Sequence, residues 1–588
     1  TRLVSDWSSD VCSSDLHHFP HLQVETEDEY ESDPDGGGLG QLARSSRRTL
    51  TWDFNHGAPV RETTAVSSPA SPAVINTTVT REFSEAARTA QYCLGLPLRV
   101  DTTRDISLAG ASTRSVQFGW STATCRQVLE ISGPVDKRLV TFRNWNGGGQ
   151  LAGVVRTPAD SSMPVRRTSW TYEAWSDRPL TETVHVDGQV PVVVRLSWNF
   201  GLDVEATRTS PRGLVTRWGW DEFARLSEEV LPDGPGSSFS YGGCGADCFS
   251  PAAAFRLRAV RTDGHVTTTL HDSYGRTVGR EASLAGGRQS RQLTQYDTLG
   301  RVARETVPFV AGEPEFWIDY RHDVNGNRRA EERPADEGGG SASTRWNSNV
   351  LERVHRDAEN RVTTRVLDVE GRTLSITPQG GGGATYTYTA FGELASITDA
   401  NGTRTTISHD DRGLPLVVDS PDSGRRTSAY NAFGELVTQQ DAATPANTIR
   451  FSYDQLGRLV QRDDAGQGTT RWEFHQGSGP LLGLPLRVTG PLGTSPAGFS
   501  EEYAYDAVGR RVATTTTLDG TAYVTSYGWD ALGRVATMTY PATVNGARLH
   551  LGFRYDAGHL TGVDQDVSGG GGMWLHLYRL RSQDARGR

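Results

Sequence analysis

The sequence predicts an all-β protein built from consecutive antiparallel β-hairpins, and three observations support this fold class. A turn signature returns at steps of 21 to 26 residues, the segments between its copies are rich in β-branched and aromatic residues, and helical periodicity is nearly absent. Runs such as Thr385-Tyr386-Thr387-Tyr388 are typical of strands. A unit of this length holds two strands and two turns, so each copy predicts one hairpin.

The turn signature consists of an aromatic residue or His, an Asp, two variable residues, a Gly and often an Arg. Its four clearest copies are Tyr296, Asp297, Gly300 and Arg301, then Tyr453, Asp454, Gly457 and Arg458, then Tyr505, Asp506, Gly509 and Arg510, then Trp529, Asp530, Gly533 and Arg534. An Asp at the first turn position bonds to the backbone of the turn, and Gly at the fourth position accepts a positive φ. These residues are therefore predicted to be structural turn residues.

The position of the Asp marks each repeat along the chain. The markers are Asp272, Asp297, Asp323, Asp368, Thr389, Asp410, Asn431, Asp454, Asp506, Asp530 and Asp556. Ten of these eleven markers have Gly three residues later, and ten follow Tyr, Trp or His. The steps are most regular, at 21 residues each, from Asp368 to Asn431. Longer steps predict worn units near Trp472-Glu473-Phe474 and at Trp220-Asp221.

The composition favours a single-layer sheet over several thick apolar cores. Hydrophobic residues make up 36% of the 588 residues, and Gly accounts for 65 of them. A large sheet that curls on itself fits this composition, and its closure removes exposed strand edges that would otherwise promote aggregation.

With this turn signature, the chain resembles the YD-repeat proteins of the bacterial Rhs type, which are related to the C component of insecticidal toxin complexes and to animal teneurins. The resemblance is clear from about residue 200 to residue 567. It implies that the hairpins coil into a large hollow β-shell that encloses a C-terminal toxin domain. The signature is specific for the family and says little about biochemical activity.

The domain organisation follows from these patterns. Residues 1–16 resemble a translated sequencing adapter, residues 17–50 form an acidic and Gly-rich segment predicted to be disordered, and residues 51–200 are a divergent β-rich region. Residues 201–567 form the YD-repeat array, and residues 568–588 are a truncated C-terminal end. The segment that closes such shells in the family is missing before Arg588, so the shell is predicted to be incomplete and the payload to lie outside this chain.

Charge and motifs argue against several classes of function. The net charge of −10 disfavours a nucleic-acid groove, because phosphate binding needs a positive surface. No apolar run reaches the length of a membrane span. Lys137 is the only lysine, so no phosphate-binding Gly-Lys-Ser/Thr loop exists. We predict no catalytic, metal or cofactor site.

The cysteines allow a disulfide. Without Cys12, four remain, Cys93, Cys125, Cys244 and Cys248, and four cysteines allow three connectivities. We favour a stapled loop between Cys244 and Cys248 in an exported chain. Zinc binding and unpaired thiols are the alternatives, although the close paired spacing of zinc sites is lacking.

The remaining candidates have simpler structural explanations. His17, His18 and His21 are compatible with a metal site, but a solvated tail is favoured. His271, His322 and His409 occupy the aromatic position of the repeat, where a structural role is favoured over catalysis. Paired Asp residues would suit a glycosidase, yet nearly every repeat supplies one, which indicates a turn requirement. The repeat tyrosines suit either sugar stacking or cross-strand packing, and packing is favoured.

The six arginines that follow the turn glycines are candidates for a ladder of ion pairs with neighbouring carboxylates, although surface pairs contribute little. They are Arg276, Arg301, Arg372, Arg458, Arg510 and Arg534.

The sequence thus predicts a non-enzymatic, secreted or cell-surface segment of an Rhs-type shell that contains a toxin until delivery. Two other hypotheses stay open. The first is a cell-surface protein that binds carbohydrate or a partner cell through its aromatic and Arg side chains, and the second is an enzyme.

Overall fold

The computed structural model describes residues 2–3, 7–8, 21–32, 39–53, 58–69, 71–83, 96–107, 110–121, 123–174, 176–323, 326–333, 342–348, 351–443, 447–492, 495–566 and 574–586. Over these residues the regular structure is β-strand, with two three-residue 3-10 turns at Val135–Lys137 and Ala285–Gly287. The prediction of an all-β fold made of antiparallel hairpins is confirmed. In the described ranges no helix has the length and hydropathy needed to cross a membrane.

The strands of the first third of the chain are β1 (Arg2–Leu3), β2 (Trp7–Ser8), β3 (His21–Leu22), β4 (Val24–Ser32), β5 (Leu39–Asp53), β6 (Ala58–Ser68), β7 (Ser71–Phe83), β8 (Pro97–Ile106), β9 (Gly110–Trp120), β10 (Gln127–Ser132), β11 (Leu139–Trp145), β12 (Leu151–Pro158), β13 (Arg166–Tyr172), β14 (Pro179–His185) and β15 (Val192–Asn199).

The middle strands are β16 (Val204–Thr209), β17 (Val215–Trp220), β18 (Leu226–Val230), β19 (Gly236–Gly243), β20 (Phe255–Arg261), β21 (Val266–His271), β22 (Thr277–Ser283), β23 (Gln289–Tyr296), β24 (Val302–Thr306), β25 (Phe309–Val310), β26 (Trp317–His322), β27 (Arg328–Arg333), β28 (Ala342–Ser348), β29 (Glu352–Arg356), β30 (Val362–Leu367), β31 (Thr373–Pro378) and β32 (Ala384–Tyr388).

The last strands are β33 (Leu394–Asp399), β34 (Arg404–His409), β35 (Pro415–Ser420), β36 (Gly424–Tyr430), β37 (Leu436–Gln440), β38 (Thr448–Tyr453), β39 (Leu459–Asp464), β40 (Gly468–Phe474), β41 (Pro485–Leu492), β42 (Ser495–Tyr505), β43 (Arg511–Leu518), β44 (Thr521–Trp529), β45 (Val535–Thr539), β46 (His550–Asp556), β47 (His559–Asp566) and β48 (Trp574–Arg579).

The chain divides into two compact units. The first unit contains Thr1–Arg166, Arg321–Glu332 and Ala342–Arg450, and the second contains Arg167–Tyr320, Arg333–Ser341 and Phe451–Arg588. Each unit therefore combines an early and a late segment of the chain. Within each segment the strands pair antiparallel with their sequence neighbours, as from β5 to β9 in the first unit and from β40 to β48 in the second.

The acidic segment differs from the expectation of disorder, because β4 pairs with β5. The register places Glu25 opposite Arg48 and Glu29 opposite Arg44. The two pairs have N–O distances of 3.5 and 3.3 Å. Opposite charges across a strand pair stabilise the sheet, and Glu25 and Glu29 each have such a partner. The Gly-rich residues 33–38 lie outside the described residues, as do residues 11–20.

The apolar cores are small in both units. In the first unit, a cluster forms from Val66, Ile75, Ile106, Leu351 and Val369, each at most 8% exposed. In the second unit the buried residues include Leu270, Val278 and Leu293, and the backbone N–H of Leu293 donates to the buried hydroxyl of Thr306 at 2.8 Å. Most other strand residues are only half-buried, which is typical of a thin sheet.

Candidate functional site

The repeat turns are the recurring site of this molecule, and the turn at residues 297–301 shows their geometry. The Asp297 N–H donates to the carbonyl of Arg301 at 2.8 Å, and the Gly300 N–H donates to the carbonyl of Asp297 at 3.0 Å. Gly300 has φ of 81°, in the left-handed region that favours glycine. The turn is thus a three-residue hairpin loop that ends in a bulge at the glycine.

The Asp297 carboxylate is fully engaged inside its own turn. Its Oδ1 accepts the backbone N–H groups of Leu299 and Arg301 at 3.0 and 2.9 Å. Its Oδ2 accepts the Nε–H of the Arg301 side chain at 2.7 Å. One Asp side chain therefore holds both the loop backbone and the arginine that follows it.

Eight turns share this arrangement, and we call them the Asp–Arg turns. The carboxylate and guanidinium lie 2.6 to 2.8 Å apart in the pairs Asp221–Arg225, Asp272–Arg276, Asp297–Arg301, Asp357–Arg361, Asp368–Arg372, Asp454–Arg458, Asp506–Arg510 and Asp530–Arg534. At the glycine position, Ala224 and Asn360 adopt φ of 57° and 64°. The arginines pair with the carboxylate of their own turn, whereas the sequence suggested neighbouring ones.

In several of the Asp–Arg turns these contacts lower the pKa of the carboxyl. The pKa of Asp297 falls below its ordinary value of 3.8, chiefly because the backbone N–H of Arg301 stabilises the ionised form, while burial opposes this. For Asp506 burial is the largest influence and raises the pKa, but the hydrogen bonds from Arg510 outweigh it and the pKa is lowered. Such carboxylates are held ionised and occupied, as a structural anchor requires.

In several repeats the aromatic residue bonds back to the preceding repeat. The Tyr296 hydroxyl donates to the carbonyl of Thr277 at 2.8 Å, two residues beyond the glycine of the previous turn. The same bond, at 2.8 to 3.1 Å, joins Tyr241 to Leu226, Tyr388 to Thr373, Tyr505 to Pro485, Trp529 to Arg511 and Tyr555 to Val535. Tyr453 occupies the equivalent position at the end of β38. We call this series of bonds the aromatic ladder.

In several Asp–Arg turns the arginine stacks on the aromatic residue of the next repeat. The guanidinium carbon of Arg276 lies 4.5 Å from the ring centroid of Tyr296. The same contact occurs at 4.1 to 5.5 Å for Arg372 on Tyr388, Arg458 on Phe474, Arg510 on Trp529 and Arg534 on Tyr555. Burial between these groups raises the pKa of Tyr296. Where the next aromatic residue is Tyr or Trp, these repeats are linked by both a cation–π contact and a hydrogen bond.

The ladder also runs through the region predicted to be divergent. The indole N–H groups of Trp120, Trp145, Trp198 and Trp220 donate to the carbonyls of Pro97, Gln127, Pro179 and Glu205 at 2.7 to 2.9 Å. Trp120 and Trp198 are followed by neither the Asp nor the Gly of the signature, whereas Trp220 precedes the Asp221–Arg225 turn at the start of the array. The spacing of the tryptophans was the signal that would have revealed them.

One marker departs from the common turn. Asp556 begins a tighter loop, in which Ala557 and Gly558 have φ of 46° and 82° and Asp556 pairs directly with His559. Its carboxylate is not used inside the turn in the same way, and instead accepts the backbone N–H of Gly286 at 2.7 Å. The marker without a glycine three residues later is thus structurally distinct.

The unit predicted near Phe474 has a widened turn. The His475 N–H donates to the carbonyl of Leu484 and the Gly483 N–H donates to the carbonyl of His475, both at 2.9 Å. These two bonds reproduce the closure of the Asp–Arg turns, with residues 476–482 in place of the two variable residues. Phe474 takes the aromatic position and Arg458 stacks on it.

The second unit brings its early and late segments together at their turns. The Gln455 side chain accepts the backbone N–H of Asp187 at 2.7 Å, and the Gln583 side chain accepts that of Ala285 at 2.7 Å. His559 Nε2 lies 2.9 Å from the carbonyl of Ser283. In each of these contacts a side chain of one segment meets the backbone of the other.

The histidines and cysteines complete the predicted set. His271 stacks on Phe255 at 5.0 Å and its Nδ1 lies 3.2 Å from the carbonyl of Gly275, which fits a structural aromatic position. His322 and His409 end β26 and β34 in the same slot. Cys244 and Cys248 are joined by a disulfide with a Cα–Cα distance of 5.6 Å. Cys125 is also disulfide-bonded, and Cys93 lies outside the described residues.

A solvated tail was favoured over a metal site for His17, His18 and His21, and these histidines lie outside the residues whose side chains are described. Over the described ranges, no three His, Cys, Asp or Glu side chains are grouped closely enough to hold a metal ion.

The fold and its turns define a class of protein. It is an array of β-hairpins whose turns are linked by contacts among Asp, Arg and aromatic side chains. Residues 505–544 match the family model described as RHS Repeat. None of the curated proteins compared matches the sequence.

Solved structures share this fold. The crystal structure of TcdB2-TccC3-Cdc42 is similar with a TM-score of 0.56 and 10% identity, over 93% of this chain and 42% of that one. That of TcdB2-TccC3 has a TM-score of 0.53 and 12% identity, over 96% and 41%. TcdB2-TccC3 without its hypervariable C-terminal region has a TM-score of 0.52 and 11% identity, over 93% and 43%. The chain spans less than half the length of these proteins. The predicted resemblance to Rhs and YD-repeat proteins is confirmed.

Proposed function

We propose that this chain is a wall segment of an Rhs-type shell that encloses a C-terminal toxin domain and helps to deliver it. The observation that carries the proposal is the continuous linkage of the repeats. The Asp–Arg turns use their carboxylates to hold their own loops, and most of them also stack the arginine on the next aromatic residue. Side chains used in this way build a rigid sheet and leave no free carboxylate pair for glycoside hydrolysis.

Containment of a toxin is supported by the fold shared with the TcdB2-TccC3 structures. One of those structures lacks a hypervariable C-terminal region, so that protein carries a variable segment after its hairpin array. We propose the same order here, with the toxin in the chain that follows residue 588 of the full-length protein. The hairpin wall keeps the toxin away from the producing cell until delivery.

An extracellular or cell-surface location fits the covalent chemistry. The loop at residues 244–248 is closed by a disulfide. Disulfides persist in oxidising compartments and are rare in the cytosol. The proposed location is therefore outside the producing cell, where a toxin carrier acts.

The test uses the full-length protein with an epitope tag on the segment after residue 588. We expect small-angle scattering to show a particle with an internal void, and trypsin to leave the tag intact until the wall is unfolded with urea. A matched sample in which a protease site separates the wall from the tagged segment controls for intrinsic resistance of the tag. A solid particle, or a tag digested as fast in the intact protein as after unfolding, would contradict containment.

Carbohydrate binding is the second candidate, and two exposed side chains favour it. Phe223 and Tyr274 occupy the third position of two Asp–Arg turns and are 68% and 83% exposed. Exposed aromatic faces suit sugar rings. Glycan-array binding that is lost in Tyr274→Ala and kept in Tyr296→Phe would support it. Binding that is absent, or unchanged by Tyr274→Ala, would remove this candidate.

A further inference from the structure

Two turns of the first unit differ in charge from the Asp–Arg pattern: a neutral residue takes the first position and an acid takes the last. In residues 389–393 and 431–435, Thr389 and Asn431 replace the Asp, and Glu393 and Glu435 replace the Arg. Both contain Phe-Gly-Glu at their last three positions, so we call them the Phe-Gly-Glu turns. Asn431 Oδ1 still accepts the backbone N–H of Glu435 at 3.0 Å, so the loop keeps its closure.

The replaced first residue now orients the glutamate. The Asn431 Nδ2 group donates to Glu435 Oε2 at 2.7 Å, and the Thr389 hydroxyl donates to Glu393 Oε2. An Asp at this position would place a second carboxylate against the glutamate. The polar, neutral Thr and Asn avoid that repulsion and leave the Oε1 atom of each glutamate free for another partner.

That partner is an arginine from the facing early segment of the same unit. Arg114 Nη2 pairs with Glu393 Oε1, and Arg166 Nη2 pairs with Glu435 Oε1. The partners lie 279 and 269 residues apart in sequence. Both glutamate side chains are 15% exposed.

Each arginine also stacks on the phenylalanine of the turn it meets. The guanidinium carbon lies 4.0 Å from the ring of Phe391 for Arg114 and 3.9 Å from the ring of Phe433 for Arg166. The two sites therefore repeat the same three contacts with different residues. Burial raises the pKa of Glu393, but the hydrogen bonds from Thr389 and Arg114 outweigh it, so the pKa is lowered and the glutamate is held ionised.

The turn between these two sites has Arg412 at the third position, where the Phe-Gly-Glu turns have phenylalanine, and Leu414 in place of the glutamate. In residues 410–414, Arg412 pairs with Asp410 of its own turn at 2.7 Å and donates to the carbonyl of Asn431 at 2.7 Å. A slip of the facing segment by one turn would bring Arg114 or Arg166 against Arg412. Like charges in close contact are unfavourable, so this register is disfavoured.

We propose that the Phe-Gly-Glu turns are register-determining sites, which accept Arg114 and Arg166 and thereby decide which turns of the two segments face each other. This proposal rests on the proposed wall, because correct facing of the segments is what makes an array a continuous barrier. It assigns to Glu393 and Glu435 a selective role in the unit, where Glu370 of the Asp368–Arg372 turn also pairs with an early-segment arginine, Arg104, but at the third turn position.

The test compares charge exchanges in the same chain. Arg166→Glu and Glu435→Arg each create like charges at one site. The matched double variant, Arg166→Glu with Glu435→Arg, restores opposite charges there. The mismatched double variant, Arg114→Glu with Glu435→Arg, carries the same two kinds of substitution and the same net charge, but breaks both sites.

The readout is amide hydrogen exchange of residues 391–393 and 433–435, with the urea midpoint as a global measure. We expect each single variant to speed exchange at residues 433–435 by about tenfold, as coupling between contacting residues allows. The matched double variant should recover most of that loss, and the mismatched one should speed exchange at both turns. Equal exchange in the matched and mismatched doubles would overturn the proposal.

A milder set keeps the test decisive if the charge reversals do not fold. In Arg166→Gln, Glu435→Gln and their double, a coupling between the two changes supports the proposal, and strictly additive effects contradict it. The scattering and protease experiment on the full-length protein is independent of these exchange rates, so failure of the register sites and failure of containment are told apart.

Discussion

The two units join their facing segments by different chemistry. In the first unit, side chain meets side chain, with Arg166 on Glu435 and Phe433 as the example. In the second unit, contacts from side chain to backbone recur, with Gln455 on the N–H of Asp187 and His559 near the carbonyl of Ser283, and Gln455 adds one bond to the Asp187 carboxylate at 3.1 Å. Backbone groups are the same at every repeat, so contacts to them hold segments together without choosing a register. Contacts between particular side chains do choose.

Acid is expected to have the largest effect on both units, because the turn carboxyls act together. The pKa values of Asp272, Asp297, Asp506 and Asp530 lie below the ordinary 3.8 in the folded chain. A lowered folded pKa stabilises the fold at pH above 3.8 and this stabilisation is lost as the pH falls through the folded values.

We therefore expect the urea midpoint to be nearly constant from pH 7 to pH 5 and to fall steeply below about pH 4. The Arg–Glu contacts of the first unit should weaken in the same direction, since the pKa of Glu393 is lowered from 4.5. Hydrogen exchange against pH, followed in each unit, measures this. A midpoint that rises on acidification would contradict the role given to these carboxylates.

A cramped turn glycine should produce the next largest effect, and it probes the second unit. Gly509 has φ of 83°, and a Cβ there would meet the Arg212 guanidinium of the facing segment and lie 3.2 Å from the carbonyl oxygen of Pro480. Gly371, with φ of 81°, has open space around the same position. Gly509→Ala is expected to cost about 3 kcal/mol and Gly371→Ala about 1 kcal/mol.

Chemical denaturation of these two alanine variants measures the difference. Equal losses would show that only the backbone conformation matters and that the facing segment does not press on the Gly509 turn.

The Asp–Arg turn itself can be dissected at Asp506. Asp506→Ala removes the acceptor of two backbone N–H groups and the partner of Arg510, so we expect a loss of about 2 kcal/mol. Asp506→Asn keeps the Oδ1 acceptor, as Asn431 does naturally, and is expected to lose only about 0.5 kcal/mol. The comparison by urea denaturation separates loop closure from the ion pair.

If Asn were as damaging as Ala at position 506, the ion pair with Arg510 and not the backbone bonding would dominate the turn. A hydrolytic activity that disappeared in Asp506→Asn alone, with stability kept, would revive the enzyme hypothesis.

Salt should have the smallest effect and should separate the units. The Arg–Glu contacts of the first unit are partly screened by salt, with a loss of less than about 1 kcal/mol between low and high ionic strength. The side chain-to-backbone contacts of the second unit are expected to change less. Hydrogen exchange of residues 433–435 and of residue 285, measured at two salt concentrations, gives the comparison. A larger response at residue 285 would contradict it.

The turn chemistry was readable from the sequence because it is local. Asp297, Gly300 and Arg301 lie within five residues, and the conformational demands of a short loop dictate their types. The partners of Tyr296 could not be named, since the Thr277 carbonyl becomes its acceptor only when neighbouring hairpins stack in one register. Local chemistry was visible, whereas stacking was not.

The Arg114–Glu393 contact could not be predicted from the sequence. Its partners lie 279 residues apart, and nothing in a single sequence links them. The inverted charges of the Phe-Gly-Glu turns were nevertheless visible as a break in a regular pattern. Disorder was expected at residues 17–50, which include strand β4. The sequence does not show that Arg44 and Arg48 of β5 lie opposite acids of β4.

The aromatic ladder has the same direction along the chain at every bond. Each donor lies 15 to 23 residues after the carbonyl that it binds, so the acceptor is always the part of the chain that is made first. When the ribosome releases a new repeat, the carbonyl that its tyrosine or tryptophan binds has already been synthesised. The aromatic ring on which its own arginine stacks is synthesised later. The ladder can therefore form in the order of translation, one hairpin at a time, whereas the contacts of Arg114 and Arg166 form only after the later Phe-Gly-Glu turns have been made.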